Sequence, residues 1–197
     1  MFRIRRRSLV IALCLSVLPL LDAWAGEPSL TVARLVARLA QSGGSSVRFS
    51  EERRLQHLTA PLFAEGTLTF EPPGTLERLV LQPKWEKMVA EGGLLTIQTN
   101  KRDLPARFLL SDYPTLDAMT TTLRSLFAGD VHVLQRLHEV MLACEGDAWL
   151  LTLIPRVAAW SEAIREVQVA GSGRSVRSIT VTEAGGDTLV ITILGKP

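Results

Sequence analysis

The fold of this chain is decided by residues 64–99, which read AEGTLTFEPPGTLERLVLQPKWEKMVAEGGLLTIQT. Apolar and polar side chains alternate within this stretch, most clearly where Leu68 and Phe70 are interleaved with threonines. Turn-forming residues interrupt the alternation at 71–74 and at Gly92-Gly93. Short alternating runs joined by turns are typical of an antiparallel meander. We therefore predict strands over 64–70, 75–82, 84–91 and 94–99.

The pattern changes upstream of this meander. Val47 and Phe49 alternate with polar residues, so a strand is expected from Ser46 into the charged run 51–54. Before it, apolar residues at helical spacing predict a helix that Ser29 caps and that ends near Gln41.

Downstream, the period first becomes helical and then returns to that of strands. Five apolar residues between Tyr113-Pro114 and Gly129 predict one helix, and Asp130 can cap a second, shorter one. Strand patterns then resume, with a short linking or helical turn after Pro155. The predicted strands are 138–144, 149–155, 164–170, 176–182 and 189–194.

This order of elements defines the fold class. A helix, about five strands, one or two helices and about five more strands predict an α+β domain with one large antiparallel sheet. So many consecutive strands tend to curl into a half-open barrel. The few helices are then expected to cover the concave apolar face.

The N-terminus has the three parts of a secretory signal peptide. Four arginines within residues 1–7 precede an apolar run, 9–21, and the triplet Ala23-Trp24-Ala25 supplies a small-residue cleavage site. The apolar run is shorter than the roughly 20 residues that a membrane span requires. We predict cleavage after Ala25, export to the periplasm and a single domain over 26–197.

Removal of this segment changes the composition. Four arginines and Asp22 leave with it, so the formal net charge falls from +2 to about −1, which argues against a nucleic-acid partner. Cys144 is then the only cysteine left, so no disulfide within the chain is expected.

No motif for catalysis or for a cofactor is present. His57, His132 and His138 lack metal-ligand spacing, and we expect no metal site. No nucleophile elbow, P-loop or dinucleotide fingerprint occurs. Cys144 is interpreted as a small apolar residue rather than a nucleophile. The expectation is a protein without catalytic residues or a cofactor, which is not an enzyme.

Several of these segments, in order, resemble the LolA/LolB family of lipoprotein carriers. Residues 66–73, GTLTFEPP, are similar to the family's G-x-L-x-hydrophobic-x-R-P strand and turn. Further similarity lies at 47–51, at Leu76 and Arg78, at Gln82-Pro83, at 88–95 and at 145–155.

The resemblance implies a half-open antiparallel barrel with a helical lid. It also implies a monomeric periplasmic carrier that binds the acyl chains of a lipoprotein or other lipid and ferries them towards the outer membrane. An inner-membrane exporter and an outer-membrane acceptor are the candidate partners. The alternative is a periplasmic sensor or interaction module of the same fold, similar to the RseB stress regulators.

The sequence departs from the family pattern at three places. Pro72 stands where the family has the arginine implicated in holding the lid, and Glu77 and Arg78 stand at bulky aromatic positions. The family's C-terminal F-x-F-x-x-P-x-G segment has no counterpart before Pro197. These differences suggest a divergent branch whose cargo is another lipid or a polyketide-like acyl product.

Under this resemblance, the apolar stripes of the first strands and of the middle helix become candidate lipid contacts, although such stripes form ordinary core in most proteins. The candidate lipid-binding residues are Phe49, Leu68, Phe70, Leu76, Val80, Val89, Leu95, Ile97, Leu116, Met119, Leu123, Leu126 and Phe127.

Overall fold

The computed structural model describes residues 30–41, 45–101 and 104–197. Residues 1–25, predicted to be the signal peptide, lie outside these ranges, and so does the predicted helix cap Ser29. Helix α1 covers Val32–Ala40, and its N-cap is Thr31, whose hydroxyl oxygen accepts the Arg34 N–H at 3.3 Å. Among the described residues no helix has the length and apolarity needed to cross a bilayer.

The described residues form eleven strands, six before the middle helices and five after them. The strands are β1 Ser45–Arg54, β2 Leu62–Glu71, β3 Thr75–Gln82, β4 Glu86–Glu91, β5 Leu94–Thr99, β6 Ala106–Leu109, β7 His138–Glu145, β8 Ala148–Pro155, β9 Ile164–Ser172, β10 Ser175–Glu183 and β11 Thr188–Gly195.

Three further helices complete the described structure. Helix α2 covers Pro114–Ala128, and it ends at Gly129, whose φ of 84° is readily adopted only by glycine. Helix α3 covers Val131–Leu137, and Asp130 caps it by accepting the Val133 N–H at 3.0 Å. Helix α4 covers Ala158–Ser161 and is the short helical turn predicted between two strands.

All eleven strands belong to one antiparallel sheet with the order β6-β5-β4-β3-β2-β1-β11-β10-β9-β8-β7. The pairing of β1 with β11 joins the strands before the helices to those after them, as in the register of Glu51 with Ile191. Strands β6 and β7 are the two edges, so the sheet is not closed into a barrel. The predicted α+β class, with one large antiparallel sheet left half open, is confirmed.

Residue alternation divides the sheet into two faces. Phe49 pairs with Gly66, Gly66 with Val80, and Leu76 with Ala90, so these positions share the face that we call the inner face. The buried side chains of this face pack with Leu35, Val36 and Leu39 of α1 and with Leu126 of α2 in one core. The helices therefore cover the inner face, as the sequence predicted.

One strand was not predicted. Strand β6 pairs with β5 through Leu95 and Phe108. It has only four residues and follows Pro105, so it is too short for alternation to show in the sequence.

Candidate functional site

An apolar cavity of about 690 Å³ lies between the inner face of the sheet and the C-terminal ends of α1 and α2. A volume of this size is in the range of ordinary small-molecule sites. Apolar side chains from five strands and two helices form most of its wall. They are Leu39, Val47, Leu68, Phe70, Leu76, Phe127, Val176, Ile179, Ile193 and Leu194.

The ends of α1 and α2 are held close together beside this cavity. The Phe127 ring, in the last turn of α2, lies 5.6 Å from that of Phe70, centroid to centroid and tilted by 41°. A Cβ atom added at Gly129 would lie 3.0 Å from the Cβ of Ala40. Gly129 therefore has two roles: its positive φ ends α2, and its lack of a side chain lets the end of α2 approach Ala40 of α1. Phe127 is thereby kept over the cavity.

A second contact joins α2 to the turn between β2 and β3. The Arg124 guanidinium lies against Gly74, where an added Cβ would be 2.9 Å from Nε and 3.1 Å from Nη2. The turn closes through the Gly74 N–H, which donates to the Glu71 carbonyl at 3.0 Å. Pro72 belongs to the same turn. The contact between helix and turn is thus made by an arginine of the helix, whereas the resemblance placed an arginine in the turn.

A charged cluster lies on the inner face beyond the apolar cavity. Arg78 donates to Glu51 at 2.7 Å and to Glu86 at 3.4 Å, and its guanidinium carbon lies 5.5 Å from the centre of the Phe49 ring. Leu76, two residues before Arg78 on β3, lines the apolar cavity, whereas Arg78 does not. The cluster therefore marks the limit of the apolar cavity along this strand, and Val80, beyond it on the same face, lines a second cavity.

On the far side of the cluster is a second cavity of about 700 Å³. Arg78, Val80 and Glu86 contribute to its wall. Lys84 and Lys101 add two more charges. Among the described residues, four of the eleven in the wall of this cavity are charged, against three of sixteen in the first cavity. Because burying charged groups against hydrocarbon is unfavourable, an acyl chain fits the first cavity better than this one.

The structure brings four of the thirteen sequence-predicted residues into the wall of the apolar cavity, namely Leu68, Phe70, Leu76 and Phe127. Val80 lines the second cavity. The others lie in or against the core: Phe49, Leu95, Leu123 and Leu126 are buried, and Ile97, Leu116 and Met119 are partly buried.

Val89 is placed on the other face of the sheet, which corrects the sequence prediction. It pairs with Glu77 and Thr96, while its neighbours Met88 and Ala90 share the inner face. Three consecutive apolar residues, 88–90, leave the face undetermined in the sequence, because side chains alternate with a period of two.

Several wall residues were missed by the sequence analysis. Val47 lies opposite Leu68 in the pairing of β1 with β2, whereas Val176 and Ile193 reach the cavity only because β1 pairs with β11 and β10 follows in the sheet. Arg174, Arg177 and Lys196 also contribute to the wall and are exposed. Alternation in each strand shows an apolar face but does not show which strands share a cavity.

His138 is a buried histidine whose two ring nitrogens both form hydrogen bonds within the core. His138 is 1% exposed, and its pKa is lowered by burial, which outweighs the opposing effect of a hydrogen bond to the backbone of Leu134. Its Nδ1 donates to the Leu134 carbonyl at 3.2 Å, so Nε2 accepts from the Thr122 hydroxyl at 3.0 Å. In the described ranges, no group of three or more His, Cys, Asp or Glu side chains could hold a metal ion.

Comparison with known proteins adds a family match. Residues 25–196 match the family described as outer membrane lipoprotein carrier protein LolA-like. No curated protein gives a significant match.

Solved structures of similar shape include two bacterial examples. One is a LolA superfamily protein from Nitrosomonas europaea, with 9% identity, a TM-score of 0.46 and coverage of 84% of this chain and 92% of the other. Another is the MucA/MucB complex of Pseudomonas aeruginosa, with 14% identity, a TM-score of 0.43 and coverage of 84% and 58%.

Proposed function

The chain belongs to the LolA-like family of outer membrane lipoprotein carrier proteins, and from this membership we propose that it is a periplasmic carrier of acyl chains. The cargo is a lipoprotein or another lipid, which the protein ferries towards the outer membrane. An inner-membrane exporter delivers it and an outer-membrane acceptor receives it. The protein does this without catalysis.

The observation that supports this proposal is the apolar cavity under the helices. Ten apolar side chains form most of its wall, and the charged cluster of Arg78 lies beyond it. Transfer of an acyl chain from water into such a space contributes about 0.8 kcal/mol per methylene. About ten buried methylenes would therefore stabilise the complex by roughly 8 kcal/mol before the costs of binding. No covalent chemistry is needed for this task.

Removal of the cargo requires that the cover over the cavity can move. Helix α2 carries Phe127, whose ring packs against Phe70. A hydrogen bond joins α2 to α4, because the indole N–H of Trp160 in α4 donates to Asp117 of α2 at 3.0 Å. The cover is attached to the sheet by side-chain contacts rather than by strand pairing. In this proposal α2 and its neighbours are the lid.

The test is lipid analysis of the protein purified from periplasm. Organic extraction followed by mass spectrometry should detect acyl species that co-purify with the protein. Leu68→Glu places a charge in the wall and should abolish their retention while export continues. Leu94→Glu is the matched control, because Leu94 is 45% exposed and pairs with Leu109 outside both cavities.

Two outcomes would contradict the carrier. One is the absence of any acyl species, even after crosslinking in cells; it would favour the sensor or interaction module. The other is equal retention by Leu68→Glu and the unsubstituted protein, which would show that the acyl chain does not occupy this cavity.

A further inference from the structure

The open end of the apolar cavity has a charge of one sign. Its wall residues include Arg174, just before β10, Arg177, near the start of β10, and Lys196, just after β11. Among the residues that the structure describes, no acidic side chain belongs to that wall. The other wall residues that are not apolar are Ser45, Ser175 and Gly195, and of these only the two serines carry a polar side chain. The apolar space thus opens between three cations and two hydroxyl groups.

These three cations are set apart by lining one cavity together without an ion-pair partner; Arg48, Arg107 and Arg165 elsewhere on the sheet also lack an ion pair among the described residues, but none of them lines this cavity. Arg53, Arg78 and Lys87 each form an ion pair with a glutamate at 2.7–2.9 Å. By contrast, none of Arg174, Arg177 and Lys196 has an ion-pair partner among the described residues.

Three unpaired like charges at one rim repel each other and create a positive potential there. An anion at the rim would relieve that repulsion. Guanidinium groups bind carboxylates and phosphates by paired N–H donors, and an ammonium group adds a further charge-assisted hydrogen bond.

We propose that the cargo is an amphiphile with an anionic head group, a carboxylate or a phosphate. Its head group binds Arg174, Arg177 and Lys196, and its acyl chain extends into the apolar cavity towards Phe70 and Phe127. This inference rests on the proposed carrier function and specifies the chemical class of its cargo. A neutral or cationic head group would leave the three charges unpaired.

The experiment compares amphiphiles that share one chain and differ in head group. Dodecyl phosphate, dodecanoate, dodecanol and dodecyltrimethylammonium are titrated into the delipidated protein by calorimetry at pH 8 and low ionic strength. Both anions should bind about tenfold more tightly than dodecanol, because each exposed ion pair contributes a few-fold. The trimethylammonium compound should bind most weakly. The advantage of the anions should decrease as salt is added.

A charge-matched pair of variants locates the effect. Arg174→Gln/Arg177→Gln/Lys196→Gln should remove the preference for anions and leave the affinity for dodecanol unchanged. Arg107→Gln/Arg136→Gln/Arg165→Gln removes the same charge at exposed sites outside both cavities and should keep the preference.

The outcomes separate this inference from the carrier function. Equal affinity for anions and dodecanol, or an anion preference that survives the first triple substitution, would overturn the anionic head group while the carrier stands. Failure of every amphiphile to bind, dodecanol included, would overturn both. A tighter dodecyl phosphate supports a phospholipid-like source, and a tighter dodecanoate supports a free acyl chain.

Discussion

Arg78 donates two hydrogen bonds to a single carboxylate oxygen of Glu51, from Nη2 at 2.7 Å and from Nε at 3.2 Å. The pair crosses from β3 to β1 on the inner face, over the strand between them. The side chains are 23% and 12% exposed, so most of their surface is removed from water. The wall of the apolar cavity includes neither residue. The pair therefore marks the boundary between the apolar cavity and the second cavity, whose wall includes Arg78, within one face of the sheet.

Loss of Arg78 should destabilise the protein. Arg78→Met leaves Glu51 largely buried without its cation, and we expect a loss of about 2 kcal/mol in the free energy of unfolding. Urea denaturation measures it. Adding Glu51→Gln should restore part of the loss. Arg54→Met breaks the more exposed pair with Glu52 and should cost less than about 0.5 kcal/mol; equal losses at the two sites would contradict this interpretation.

Enlarging a side chain in the cavity wall should reduce the length of the acyl chains that the protein retains. Val47→Phe adds volume to the space beside Leu68, so the longest acyl chains recovered by extraction should disappear before the shorter ones. Mass spectrometry gives the distribution of chain lengths, and the thermal midpoint verifies folding. Val190→Phe, on the opposite face of neighbouring β11, is the control and should leave the distribution unchanged. An unchanged distribution in Val47→Phe would place the chain elsewhere.

Gly66 should not tolerate a side chain. A Cβ atom there would overlap the backbone carbonyl oxygen of Leu79, next to an irregularity in the pairing of β2 with β3. Because backbone must shift, we expect Gly66→Ala to cost about 3 kcal/mol or more. Gly185→Ala meets no atom within 4 Å and should change stability by less than about 0.5 kcal/mol. Chemical denaturation of both variants is the measurement; a mild effect at Gly66 would contradict the register described for β2.

Stability should decrease as the solution becomes more acidic through the range in which histidine titrates. Burial lowers the pKa of His138 below its usual 6.5, so the unfolded chain binds the proton more readily than the folded one. The free energy of unfolding should therefore fall as the pH decreases below about 6.5, until the lowered folded pKa is passed.

Thermal unfolding between pH 5 and pH 8 measures this dependence. His138→Gln should flatten the curve in that interval, at some cost in stability, because the hydrogen bonds with Thr122 and Leu134 change. His132→Gln removes an exposed histidine outside this network and should retain the slope of the unsubstituted protein. Equal slopes in all three proteins would show that His138 does not couple protonation to folding.

Much of the fold could be predicted from the sequence because its signals are local. Turns such as 71–74 and Gly92-Gly93 delimit strands directly, and ten of the eleven described strands were predicted to within a few residues. The cap at Asp130 and the end of α2 at Gly129 were also recognised, since each depends on one or two neighbouring residues. Strand β6 was too short to leave a pattern.

The candidate site was only partly predictable, because it is formed by contacts between distant segments. Leu68 and Phe70 were identified from their own strand, but Ile193 joins them across the β1–β11 pairing. The face of Val89 was undetermined within an apolar run. The positive rim of Arg174, Arg177 and Lys196 depends on where β10 and β11 lie in the sheet.

By itself the sequence determined the α+β class, the order of elements and the family, because periodicity, turn residues and motifs act over a few positions. Only the tertiary structure decided where the apolar cavity ends and what surrounds it. The pairing of Arg78 with Glu51, 27 residues away, and the approach of Ala40 to Gly129 arise when the sheet curls beneath its helices. Such contacts depend on strand register and helix placement, which no local pattern specifies.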